Sequence, residues 1–124
     1  MITLKLPVPP GVNKLYANVP GKGRVKTAVY RAWIKEAGLE LIGQLATRRT
    51  GLPITGDVSV SIRFPRLRSD LDAPIKATLD LLTRHQVYND DRQVAEMRVR
   101  FHPDAWMLVE VGAVPEADMI ARVA

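Results

Sequence analysis

Apolar and polar residues alternate at Ile2-Thr3-Leu4-Lys5-Leu6, and this period of two predicts a short strand over residues 2–6, halted by Pro7, Pro9 and Pro10. Residues 11–26 hold no sustained period, and Pro20, Gly21 and Gly23 predict a mobile loop there. The pattern then lengthens. Tyr30, Trp33, Ile34, Ala37, Leu41 and Leu45 recur at helical spacing, with Arg31, Lys35, Glu36, Glu40 and Gln44 mostly on other faces. Thr27 suits the N-cap of this helix, while Arg48, Arg49, Gly51 and Pro53 suit its end, so a helix is expected near 28–49. Two-fold alternation returns at Val58, Val60, Ile62 and Phe64 against Ser59, Ser61 and Arg63, a half-buried strand over 57–64.

A second helix is expected over 73–84, with Ile75, Leu79 and Leu82 inward and Lys76, Asp80 and Arg84 outward. Pro74 at its first position makes Ala73 the N-cap and leaves Asp72 outside. Val87 to Asp91 reads as a turn. Met97, Val99 and Phe101 then alternate with Arg98, Arg100 and His102 in a strand over 95–102. Pro103-Asp104 turns the chain into an antiparallel partner strand over 105–111, and Pro115 to Val123 suits a short terminal helix. Together these elements predict one α/β (α+β) domain spanning 1–124. Its two layers are a four-stranded, mixed or largely antiparallel sheet and two main helices.

Composition adds that 47% of residues are apolar and 25% charged, which is ordinary globular material of single-domain size. No apolar run is long enough to span a membrane and the start lacks the order of a signal peptide, so a cytoplasmic protein is expected. With no cysteine, thiolate zinc sites and disulfides are excluded. The two histidines, His85 and His102, are expected at a helix end favoured by its dipole and on an exposed strand face. Of the charges that make +5 overall, the bases of residues 1–35 (Lys5, Lys14, Lys22, Arg24, Lys26, Arg31 and Lys35) stand without a single acid. Such a block suits a polyanion, because each neutralised phosphate releases counterions. Along 22–26 the alternation of Lys22, Arg24 and Lys26 would let an extended chain follow a phosphate backbone. The spacing of a nucleotide-binding P-loop is absent.

The candidate chemistry lies in Asp70-Leu71-Asp72 and in Asp90-Asp91. In an extended segment from Pro65 to Asp72 the first two carboxylates would share a side. Like charges so close call for a cation or a proton, and a hard divalent ion such as Mg²⁺ suits an all-oxygen set of Asp70, Asp72 and Asp91. The plainer alternatives are a helix cap for Asp72, a surface partner of Arg66 or Arg68 for Asp70, and a solvated turn for Asp90-Asp91.

Over nearly its whole length the chain resembles the RusA family of Holliday junction resolvases. The resemblance rests on Pro9-Pro10 followed by Asn13 and Tyr16, on Asp70-Leu71-Asp72 with Lys76 opening a helix, and on Asn89-Asp90-Asp91 followed by Gln93-Val94. It implies a homodimeric, Mg²⁺-dependent endodeoxyribonuclease of bacteria or their prophages that nicks four-way junction DNA symmetrically, in recombination and repair. Carried onto this sequence, it makes Asp70, Asp72 and Asp91 the metal-binding catalytic carboxylates and Lys76 the catalytic lysine. Lys14, Lys22, Arg24, Lys26, Arg66 and Arg68 are then the candidate phosphate contacts. The family usually has asparagine where this chain has Ala73, which removes a polar contact beside the acids but no ligand. Three other functions compete: a non-catalytic nucleic-acid-binding module, a less selective metal-dependent nuclease, and a small regulatory domain that binds a metabolite.

Overall fold

The computed structural model describes residues 1–66 and 70–115. Strand β1 (Ile2–Leu6) is followed by a one-turn helix (Val12–Lys14), the hairpin β2 (Tyr16–Val19) and β3 (Gly23–Lys26), and helix α1 (Ala28–Leu45). Then come β4 (Val58–Pro65), α2 (Ile75–Arg84), a one-turn helix (Asp91–Gln93), β5 (Val94–His102) and β6 (Met107–Ala113). The α+β expectation holds, with a mixed four-stranded sheet in the order β1-β6-β4-β5 and a separate two-stranded ribbon. The expected terminal helix lies outside the described residues.

Strand β4 is central because its alternation is the cleanest in the chain. Val58, Val60, Ile62 and Phe64 are all buried, and each such side chain contributes about 1.5–3 kcal/mol by leaving water. On the same face lie Tyr30, Trp33, Ala37, Leu41 and Leu45 of α1 and Ala77, Leu81 and Leu82 of α2. Tyr30 and Trp33 are therefore core residues, and the Trp33 indole N–H donates to the Pro7 carbonyl at 2.9 Å. The opposite face carries Ser59, Ser61 and Arg63, the last 3.6 Å from Glu110.

Three expectations about the framework are corrected. Residues 16–26 form a hairpin rather than a mobile loop, with Tyr16 opposite Lys26 and Asn18 opposite Arg24. Exposed four-residue strands leave no one-sided apolar pattern to read. Strands β5 and β6 are consecutive but not neighbours: β4 lies between them, parallel to β5 and antiparallel to β6. The apolar β4 takes the position where both edges are covered, leaving the more polar β5 at the margin. Helix α1 ends at Leu45 rather than near residue 49, with Ala46 as its cap; its other end is as expected, the Thr27 hydroxyl accepting from the Tyr30 N–H at 3.1 Å.

At the far margin β1 is an edge strand, and α1 reaches over to it. The Gln44 side chain accepts from the Lys5 N–H at 2.8 Å and donates to the Lys5 carbonyl at 2.6 Å. One amide thereby satisfies both main-chain groups that Lys5 would offer a further strand.

Candidate active site and its flanking surface

The connection from β4 into α2 carries the first acidic pair. Strand β4 stops at Pro65, and residues 71–74 turn, with the Ala73 N–H donating to the Asp70 carbonyl at 3.1 Å and Ile75 N–H to the Asp72 carbonyl at 3.2 Å. The extended arrangement expected through Asp72 is therefore replaced by a turn. Pro74, not Ala73, is the N-cap residue of α2, and no side chain caps the helix. Both Asp70 and Asp72 hold the turn through their backbones, which leaves their exposed carboxylates free of the capping role. Both residues still line one cleft, with Asn13 and Lys14. Arg66 lies over the Phe101 ring at 4.2 Å rather than pairing with Asp70, and Arg68 lies outside the described residues.

Lys76, in the first turn of α2, is exposed and sits 3.7 Å from Asp80 one turn on. The helix ends on His85, followed by Gln86 in the left-handed region at φ 58°. Gln86 N–H donates to the Thr83 carbonyl and Val87 N–H to the Leu82 carbonyl, closing the last turn while the side chains of Val87 and Leu82 are buried. His85 occupies the expected helix end, yet burial, then the charges of Arg84 and Arg49, push its imidazole below the ordinary value. The dipole is outweighed there. His102 is also less open than expected: its side chain is 11% exposed and a ring nitrogen lies 2.7 Å from the Trp106 carbonyl.

That sharp stop delivers the second acidic pair. Val87 and Tyr88 are buried rather than part of a solvated turn, and the Tyr88 hydroxyl donates to the Leu79 carbonyl at 3.1 Å. Burial pushes the phenols of Tyr88 and Tyr30 up to about 12, with Asp80 adding to both, so each is neutral at physiological pH. Gln93 fixes the following turn. Its side-chain oxygen accepts from the N–H groups of Asn89 (2.8 Å) and Asp90 (2.9 Å), while its amide nitrogen donates to the carbonyls of Ile54 (2.9 Å) and Gly56 (2.8 Å). Asp90 completes a capping box with it. Sequence reasoning gives Gln93 a place in the motif but no role; the Asp90-x-x-Gln93 spacing is the signal that could have found it.

The two members of the pair differ. Asp90 accepts two hydrogen bonds from the Arg92 guanidinium, at 2.8 and 3.1 Å, and one from the Arg92 N–H at 2.9 Å. These hold its carboxyl down at about 2. A carboxyl depressed on folding stabilises the fold above its unfolded value near 3.8, and that contribution fades as pH falls toward about 2. In Arg92→Ala, carboxyl NMR should find Asp90 titrating higher, only part of the way back to the ordinary aspartate range because the backbone N–H of residue 92 remains; an unchanged midpoint would discount the guanidinium as the main cause. Asp91 is exposed and has no ion pair among the described residues.

Asp90 and Asp91 line a pocket with Asp80, Tyr16, Lys26 and Arg84. Segment 11–16 borders both acidic regions: residues 11–14 line the cleft of Asp70 and Asp72, Tyr16 lines the pocket of Asp91, and Leu15 between them is fully buried. The motif residues Asn13 and Tyr16 thus serve one region each. Within the chain, however, the expected set of Asp70, Asp72 and Asp91 is divided between the two. Among the described residues no three carboxylate or imidazole groups are placed to share a metal ion. Of the expected phosphate contacts, Lys14 adjoins the first region and Lys26 the second, while Lys22 and Arg24 stand on the hairpin, Arg24 over the Tyr16 ring at 4.8 Å.

No helix among the described residues is long and apolar enough to cross a membrane. The family model described as endodeoxyribonuclease RusA matches residues 7–112. No curated protein matches the chain.

Proposed function

The chain belongs to the RusA family of endodeoxyribonucleases, and from that premise we propose that it resolves four-way DNA junctions by hydrolysing one phosphodiester in each of two symmetry-related strands. The observation that carries the reading is the family match together with the exposed acids Asp70, Asp72 and Asp91, set in two regions both bordered by segment 11–16. Asp70, Asp72 and Asp91 are the proposed catalytic carboxylates. Lys76, exposed beside them in sequence, would offset charge developing on the scissile phosphate. Lys14, Lys22, Arg24, Lys26, Arg66 and Arg68 are proposed to grip phosphates, selecting the junction by shape rather than by base edges.

Mg²⁺ is the proposed cofactor, since hard cations favour oxygen donors. The protomer as folded does not gather the three carboxylates, so the residues present do not fit one ion without Asp91 and the 70–72 turn coming together. A homodimer is proposed because paired cuts in a four-armed substrate suit two equivalent sites. The proposed setting is the bacterial or prophage DNA recombination and repair machinery of the cytoplasm.

Incubating the protein with synthetic four-way junctions and with linear duplex, in Mg²⁺ and in EDTA, tests the proposal. Symmetric nicking of the junction alone, lost in EDTA, is expected. A junction bound but never cut would leave a non-catalytic binding module; equal cutting of both DNAs would leave a less selective nuclease.

A further inference from the structure

The outer side of α1 separates its charges. Arg31 and Lys35, one turn apart, face a groove that runs to the end of α2, whereas Glu36 and Glu40 line a different cleft with Lys5 and Trp106. The groove is walled by Lys26, Arg31, Lys35 and Arg84, and no carboxylate lines it. None of these four cations is ion-paired among the described residues.

This arrangement works against the helix. Like charges four residues apart repel, and the first turn of α1, where a carboxylate would be favoured, holds no acid and presents Arg31. Arg31 spends one N–H on the Lys26 carbonyl at 2.5 Å, which leaves the rest of its fork facing outward. The floor is Gly38, a helix-interior glycine whose added Cβ would meet the His85 ring at 3.0 Å. Glycine there lets the end of α2 approach closely. Lys26, Ile34 and Arg84 also line the pocket of Asp90 and Asp91, so the two depressions adjoin.

We infer that this groove is a second phosphate track, which holds the sugar–phosphate backbone of the DNA as it leaves the pocket of Asp91. The charge complementarity selects a polyanion, and the shared wall with the acidic pocket selects the substrate itself. The inference rests on the proposed nuclease function, and it adds Arg31, Lys35 and Arg84 to the phosphate-binding cations. The exposed apolar groups between them, Leu39 (64%) and Ile42 (47%), then lie against deoxyribose rather than water.

The test measures binding to a synthetic four-way junction in EDTA across a salt series, for the full chain and for the double variant Arg31→Gln/Lys35→Gln. Removing one phosphate-binding cation should flatten the slope of log affinity against log salt by about 0.9, so the double variant should lose nearly 2 and, with the two lines meeting near 1 M, bind roughly fiftyfold more weakly near 0.1 M salt. Lys5→Gln, on the acid-lined side of α1, should change the slope by much less. An unchanged slope in the double variant, with the original chain binding, overturns the groove and leaves the nuclease function standing. A Lys5→Gln loss half as large as that of the double variant would reduce the effect to net charge and overturn it as well. So would a change of oligomeric state in the double variant by sedimentation, which would make the groove an interface between copies. An original chain indifferent to junction DNA at low salt overturns both.

Discussion

Replacing Asp70 by asparagine is expected to reduce junction nicking by at least 10²–10³-fold, the scale on which a single catalytic electrostatic group acts. The fold should be indifferent to the change. Asp70 supports the turn into α2 through its carbonyl, its side chain is exposed, and the substitution is isosteric, so stability should move by no more than about 0.5 kcal/mol. Junction affinity in EDTA should hold or tighten, because one negative charge beside the phosphates is gone. Asp72→Asn and Asp91→Asn should behave alike if the three acids serve one step, despite the separation of the two regions in the protomer. Cutting retained within tenfold in any of the three would remove that residue from the catalytic set.

Gln93→Ala should have the largest effect on stability among changes near the site. The side chain uses both acceptor and donor ends of its amide, joining the Asn89-Asp90 turn to the backbone at Ile54 and Gly56. At about 0.5–1.5 kcal/mol net per hydrogen bond, four of them amount to about 2–6 kcal/mol. For a domain of this size that is a fall in melting temperature on the order of 10 °C. Gln93→Glu separates the two halves of the role: a carboxylate still accepts from Asn89 and Asp90 but cannot donate to the two carbonyls. It should therefore destabilise too, and lower nicking by loosening Asp91 even where the protein remains folded. Denaturant melts that place both variants within 0.5 kcal/mol of the original chain would contradict this role.

The strands with one buried face were legible from alternation alone, β4 best of all, because burial on one side of a pleat writes itself into every second residue. The start of α1 was legible for a local reason, the Thr27 cap. The neighbours of β6 were not: residues 103–106 look like a hairpin turn, and only the competition of whole strands for the covered central position puts β4 in between. At the site, the acids themselves could be read, as could the freedom of Asp72 from capping. What holds them in place could not, since Gln93 bonds to groups nearly forty residues away. The basic groove escaped for a similar reason, its walls coming from β3, α1 and α2.

The grip of Gln44 on Lys5 bears on how this protein behaves when concentrated. A bare sheet margin is a template on which another chain can register, and filament growth starts from such templates. Here the position at Lys5 is already taken by a side chain tethered to the same molecule. Any self-association through β1 must first evict it, which biases the molecule toward pairing through other surfaces and away from open-ended polymerisation.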